Sequence, residues 1–171
     1  MSKRLKLRLV GSFDSRSDVA GTLRQPGDAA LVERGRPRLL VILCPCACGE
    51  EFAINLDRQA GKAWTAYRRG SAFTLFPSVW RDTGCKSHFI VWNDTVYLFD
   101  RWADDDLLAS GGAVNPDTVV GILTKNWQSF AGLAEQLNAI PWDVLAACRE
   151  LAARGIAVEG LGELSGHFQS A

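Results

Sequence analysis

Long apolar runs are missing from this chain. The longest, Leu39-Leu40-Val41-Ile42-Leu43, has five residues, against the roughly 20 that a membrane-crossing helix needs. The opening Met1-Ser2-Lys3-Arg4-Leu5-Lys6 starts like a basic secretory leader, but Lys6 and Arg8 interrupt the apolar stretch such a leader requires. The expected location is therefore the cytoplasm, with no membrane partner. Net charge is also absent, with 19 basic residues against 19 acidic. A broad basic field for non-specific nucleic-acid binding is thereby disfavoured. Residues 1–40 do carry nine lysines and arginines against four acids, which reads as a solvated basic face able to meet an acidic partner. Histidine is scarce too: there are two. No third histidine or ligand-spaced glutamate is present to build a catalytic zinc with an open position. No internal repeat is apparent.

What remains is 171 residues with 47% hydrophobic and 22% charged content, enough to bury a substantial core as one domain with an appendage. Four of the five cysteines and one of the two histidines fall in two clusters, Cys44-Pro45-Cys46-Ala47-Cys48-Gly49 and Cys85-Lys86-Ser87-His88. In a reducing compartment such clusters hold metal rather than disulfides. Tetrahedral zinc takes four ligands, with Zn–S bonds of about 2.3 Å, and five soft ligands are on offer. Cysteines two apart on a straight strand are too far apart for this, so the chain must curl, with Pro45 as stiff entry and Gly49 as permissive exit. Either Cys44, Cys46, Cys48 and Cys85 bind the metal and His88 is free, or His88 binds and Cys44, at the end of an apolar strand, turns to the core. In both cases the site is closed and structural. Cys148, on the apolar stripe of a helix, reads as a buried structural thiol.

Period-two alternation over Leu5–Leu9, the apolar run 38–43, and the segments 52–56, 63–67 and 72–76 predict short strands. Phe89–Trp92 and Thr95–Phe99 around Asn93-Asp94 predict a hairpin. Together these indicate a small antiparallel sheet. After Trp102 the texture changes. Asp104-Asp105-Asp106 introduces Leu107-Leu108, and Gly111-Gly112 breaks the chain. Asn115-Pro116-Asp117 is a helix start, with a helical pattern from 118 to about 137, broken near Asn126. A second helix runs from Trp142 to Arg154 after Pro141 and stops at Gly155. With Ile156-Ala157-Val158 this part suits a winged-helix-like appendage. The expected fold is α+β: a zinc-knit β-rich domain over 1–103, then a helical segment over 104–171 that can pack on the first.

Between the cysteine clusters lies Phe76-Pro77-Ser78-Val79-Trp80. Ser78 follows a proline at a strand end, where a turn can present its hydroxyl. His88, fixed beside the metal knuckle, could serve as its base. Asp82 or Asp94 could orient the imidazole. Ser87 alternates to the face opposite His88. The plainer reading makes Ser78 a turn residue and His88 a zinc ligand. His167 reads as an exposed bystander.

The order C-P-C-x-C-G (Cys44 to Gly49), a tryptophan-containing segment (Trp64), L-x-P-S-[VI]-W (Leu75 to Trp80) and G-C-x-S-H-F (Gly84 to Phe89), followed by a hairpin, resembles a small zinc-binding family of bacterial ubiquitination-like (Bub) operons. The resemblance covers about residues 38–100. It implies a companion of E1-like, E2-like and ubiquitin-like proteins that binds metal and acts as a peptidase on the modifier or its conjugates. Carried over to this chain, it points to Ser78 and His88 as the catalytic pair, beside a structural Zn2+ on Cys44, Cys46, Cys48 and Cys85. The alternative is a non-catalytic zinc-containing interaction module presenting Trp64, Trp80, Trp92 and Trp102.

Overall fold

The alternating leucines at 5, 7 and 9 do form extended chain, but Leu7 divides it between two sheets. A computed structural model describes residues 3–99 and 112–171. In it β1 (Lys3–Lys6) and β2 (Arg8–Phe13) flank a Leu7 that is 2% exposed. The chain separates into two compact units, 1–104 and 105–171.

In the first unit, β2 continues through α1 (Arg16–Val19) to β3 (Asp28–Glu33), β4 (Pro37–Leu43) and β5 (Glu51–Asn55). These strands form a sheet in the order β2-β3-β4-β5. β2 and β3 are parallel and the other pairs antiparallel. A parallel pair needs a crossover, and residues 14–27, with α1, supply it. The remaining strands are β6 (Thr65–Arg69), β7 (Ala72–Trp80), β8 (His88–Trp92) and β9 (Thr95–Phe99). They make a second, wholly antiparallel sheet in the order β1-β9-β8-β7-β6. The sheet expected from the sequence is thus two sheets, one of them mixed.

The two sheets share a core. Leu31, Leu40, Ile42 and Ile54 from one pack with Phe73, Leu75, Val79, Phe89, Val91 and Val96 from the other. Val19 and Leu23 from the crossover cover the outer face of β3 and β4, against Ala30, Val32 and Val41. β3 and β4 are therefore buried on both faces, which is why their sequence is a run and not an alternation. Asn93 and Asp94 have φ of 49° and 58°, the geometry of a two-residue hairpin turn between β8 and β9.

The second unit contains α2 (Pro116–Val120), β10 (Gln128–Ser129), α3 (Phe130–Leu137), α4 (Pro141–Ala153), β11 (Ala157–Glu159) and β12 (His167–Ser170). The strands form an antiparallel sheet in the order β10-β12-β11. The helix expected over 118–137 is interrupted for longer than its sequence suggests. The Gln128 side chain accepts hydrogen bonds from the Thr124 backbone N–H (2.7 Å) and hydroxyl (3.0 Å), which holds this stretch as a loop. α4 begins at Pro141, as expected, and buries Leu145, Cys148 and Leu151. Burial, with Glu159 nearby, pushes the Cys148 thiol up to about 12, as suits a structural thiol. The readings at 104–106, 107–108 and Gly111, and that of Trp102, lie outside the described residues.

Candidate functional site

The two cysteine clusters meet. β4 ends at Leu43, and Ala47 N–H donates back to the Cys44 carbonyl at 3.1 Å. Ala47 takes a φ of 69°, so the chain curls between Cys46 and Cys48. The curl returns as β5, with Cys44 N–H donating to the Glu50 carbonyl at 2.9 Å. A second tight turn joins β7 to β8: Gly84 and Lys86 have positive φ, and Arg81 N–H donates to the Ser87 carbonyl at 3.0 Å. That turn places Cys85 over the first. The Sγ atoms of Cys44, Cys46, Cys48 and Cys85 all lie within 4.8 Å of one another. Cys44 is 3.3 Å from Cys46 and 3.6 Å from Cys85, sulfur to sulfur. Four soft donors at these separations fit a tetrahedral metal, whose sulfurs sit about 3.8 Å apart. Cys44 is buried, as its place at the end of an apolar strand suggests, and its sulfur lies with the other three.

Around the sulfurs stand residues that sequence reasoning did not assign to the site. The Ser87 hydroxyl is buried 3.4 Å from the sulfurs of both Cys44 and Cys85. Arg81 donates from Nη1 to Cys85 Sγ (3.4 Å) and to Glu50 Oε2 (2.6 Å), with its guanidinium 4.7 Å from the centre of the Phe52 ring. Burial raises the Cys85 thiol pKa, but hydrogen bonds from the Ser87 hydroxyl and backbone N–H and from the neighbouring thiols outweigh it. The net result is about 6. Cys46 moves the other way, raised by burial and by the thiols beside it. The only clue to Ser87 in the sequence was its place between Cys85 and His88.

His88 faces elsewhere. It opens β8 opposite Trp80 on β7 and Phe99 on β9. Its ring centre lies 6.5 Å from that of Trp80 and 5.1 Å from that of Phe99. Successive strand residues point to opposite faces. Ser87 therefore enters the sulfur cluster, Phe89 the core, and His88 the row of rings. The four-sulfur group does not include His88.

Ser78 lies on the strand next to His88. Val79 pairs with Phe89 and Trp80 with His88, so Ser78 is diagonal to His88. In a regular ladder such positions are about 7–8 Å apart. β7 is not regular here. Leu75 pairs with Val91, so Phe76, Pro77 and Ser78 together oppose Ile90 alone, and the Phe76–Pro77 bond is cis. Bulges of this kind re-aim side chains. Ser78 is half-buried on this bulge.

The two proposed orienting acids lie at opposite ends of β8. Asp94 sits in the hairpin turn at the far end of β8, where its Oδ1 accepts the Phe73 N–H at 2.8 Å. Asp82 is exposed in the β7–β8 connection. His167 belongs to β12, opposite Ser129, and is half-buried. Of the tryptophans, Trp80 is 59% exposed and Trp92 only 2%, while Trp64 is half-buried against the core.

Residues 15–99 match the family model described as bacterial ubiquitination-like system serine protease, BubE. This segment belongs to the BubE family. The match contains all four clustered cysteines, Trp64, Ser78 and His88, and ends with β9. Residues 100–171 lie beyond it. No curated protein and no solved structure matches the chain. Among the described residues no helix is long and apolar enough to cross a membrane.

Proposed function

We propose that the first unit is a zinc-stabilised serine-type peptidase that processes or removes the ubiquitin-like modifier of a bacterial conjugation system. The observation that carries this is the β7–β8 pairing. Within the segment matching a serine-protease family, it puts Ser78 and His88 on neighbouring strands and keeps His88 off the sulfur cluster. Ser78 Oγ attacks the carbonyl at the modifier's end. His88 takes the hydroxyl proton and returns it to the departing amine, and water then releases the acyl group. Backbone N–H groups near Ser78 would stabilise the oxyanion.

Cys44, Cys46, Cys48 and Cys85 would hold the zinc, which supplies cross-linking and no step of the reaction. It ties the β4–β5 turn to the β7–β8 turn and so fixes where β8 begins. The partners on this reading are the ubiquitin-like protein, its conjugates and the E1- and E2-like proteins that make them, and the compartment is the cytoplasm.

The second unit has the α-β-α-α-β-β order of a winged helix. Its α4 buries most of its surface and pairs its one arginine, Arg149, with Glu159, while Arg154 just after the helix pairs with Glu150, which suits a protein partner better than a nucleic acid. The non-catalytic alternative draws on Trp80, a large exposed ring on the same face as His88.

The test is hydrolysis of a modifier–target conjugate by the wild type and Ser78→Ala. The peptidase reading expects a loss of about 10⁴-fold or more with the melting temperature unchanged. Full cleavage by Ser78→Ala would overturn it and leave the binding-module reading.

A further inference from the structure

The Ser78 peptide sits where β7 leaves its ladder on both sides. Toward β8, three residues oppose one. Toward β6, pairing begins only at Thr65, opposite Phe76. A side chain reaches the gap: the Trp64 indole N–H donates to the Ser78 carbonyl at 3.1 Å. The indole is anchored in turn. Trp64 N–H donates to the Asn55 carbonyl at 2.8 Å. Asn55 Nδ2 donates to the carbonyls of Asp57 (3.1 Å) and Lys62 (3.0 Å), and its Oδ1 accepts Asp57 N–H at 3.0 Å. Asp57, 5% exposed, is ion-paired to Arg36 and to Arg38 of β4. A continuous set of hydrogen bonds thus runs from β4 through Asp57 and Asn55 to one indole N–H aimed at the bulge.

We infer that Trp64 is a positioning residue for the nucleophile: its indole N–H fixes the Ser78 peptide and thereby the direction of the Ser78 hydroxyl. The inference rests on the reading of Ser78 as the nucleophile. Nothing else is asked of the tryptophan, which touches neither substrate nor His88 in this role. The Asn55–Asp57 network explains why a half-buried residue on a connection can hold a strand bulge: its own backbone is pinned. Displacing a nucleophile by about 1 Å costs on the order of 10²-fold in rate, so loss of this one bond has a kinetic signature.

The experiment measures covalent labelling of the full chain by diisopropyl fluorophosphate, with the modified residue located by mass spectrometry. In that reaction Ser78 Oγ bonds to phosphorus, fluoride leaves, and the hydroxyl proton passes to the base. Trp64→Phe removes the N–H donor. A second variant carries 3-benzothienylalanine at position 64, which keeps the indole shape and lacks the donor, so a folding defect in the first does not decide the matter. The expected result is wild-type labelling at Ser78, with a rate constant about 10- to 100-fold lower in both variants at the same final extent and melting temperature. A purely structural role for Trp64 would instead lower the final extent and leave the rate constant alone. Wild-type rates in the benzothienyl variant would overturn the inference while leaving Ser78 as the nucleophile. Absence of labelling at Ser78 in the wild type would overturn both.

Discussion

Ser87 and His88 are consecutive in the chain, yet they enter opposite faces of one hairpin. On the sulfur face, Ser87, Arg81 and Glu50 surround four converging thiols, and both turns are closed by backbone hydrogen bonds. On the ring face, His88 lies between an exposed tryptophan and Phe99, beside a bulge carrying a half-buried serine. The first face gathers the sulfurs, and the second carries the exposed Trp80 ring with the half-buried His88 and Ser78. Strand alternation separates them, so a metal held by the four sulfurs would fix the hairpin without taking part in what the other face does.

Substitutions should divide along the same line. Cys85→Ser removes the ligand that joins the β7–β8 turn to the β4–β5 turn. Structural zinc is worth about 10 kcal/mol to small zinc modules, so this variant is expected to lose its metal and unfold the first unit. Metal analysis and circular dichroism read that directly, and a folded, metal-free Cys85→Ser chain would break the comparison.

Acid should act on a third place, Asp28 at the start of β3. Asp28 is buried, which favours its neutral form. The backbone N–H groups of Arg24 and Gln25 (2.8 Å each) and the Arg8 guanidinium outweigh this and hold its carboxyl below the usual range. A carboxyl whose pKa is lower folded than unfolded contributes stability above its unfolded value, about 4. That contribution is lost as pH falls through the folded value. Asp28→Asn should therefore melt lower than wild type at neutral pH, and the gap should close on acidification below about pH 4.

Ser87→Ala removes one hydroxyl from two sulfurs and should cost about 1 kcal/mol while retaining the metal, seen as a faster loss to a chelator. The smallest effect is expected on the ring face. Trp80→Ala, at a position 59% exposed, should change stability by no more than about 0.5 kcal/mol and leave metal content alone. A large stability loss there would mean the ring face is structural after all.

Much of this was legible in the residues. The cysteine clusters, the 89–99 hairpin and the helix from Pro141 carry local signals strong enough to stand alone. β3 did not, because Asp28-Ala29-Ala30-Leu31-Val32-Glu33 is buried on both faces and shows neither alternation nor a β-branched run. The division at Leu7 was equally hidden, since a period of two looks the same whether one strand continues or two diverge. The fate of His88 turned on pairing. C-x-x-H is an ordinary zinc spacing, and only the register of Trp80 against His88 sends the imidazole to the other face. Nothing local could have linked Trp64 to Ser78, 14 residues apart and joined by a side chain to a carbonyl.

The most direct measurement is metal content and conjugate hydrolysis for His88→Ala beside the wild type. The account predicts that the variant keeps one tightly held zinc and its melting temperature, and loses hydrolysis. Loss of the metal would make His88 a ligand and contradict the separation of the two faces.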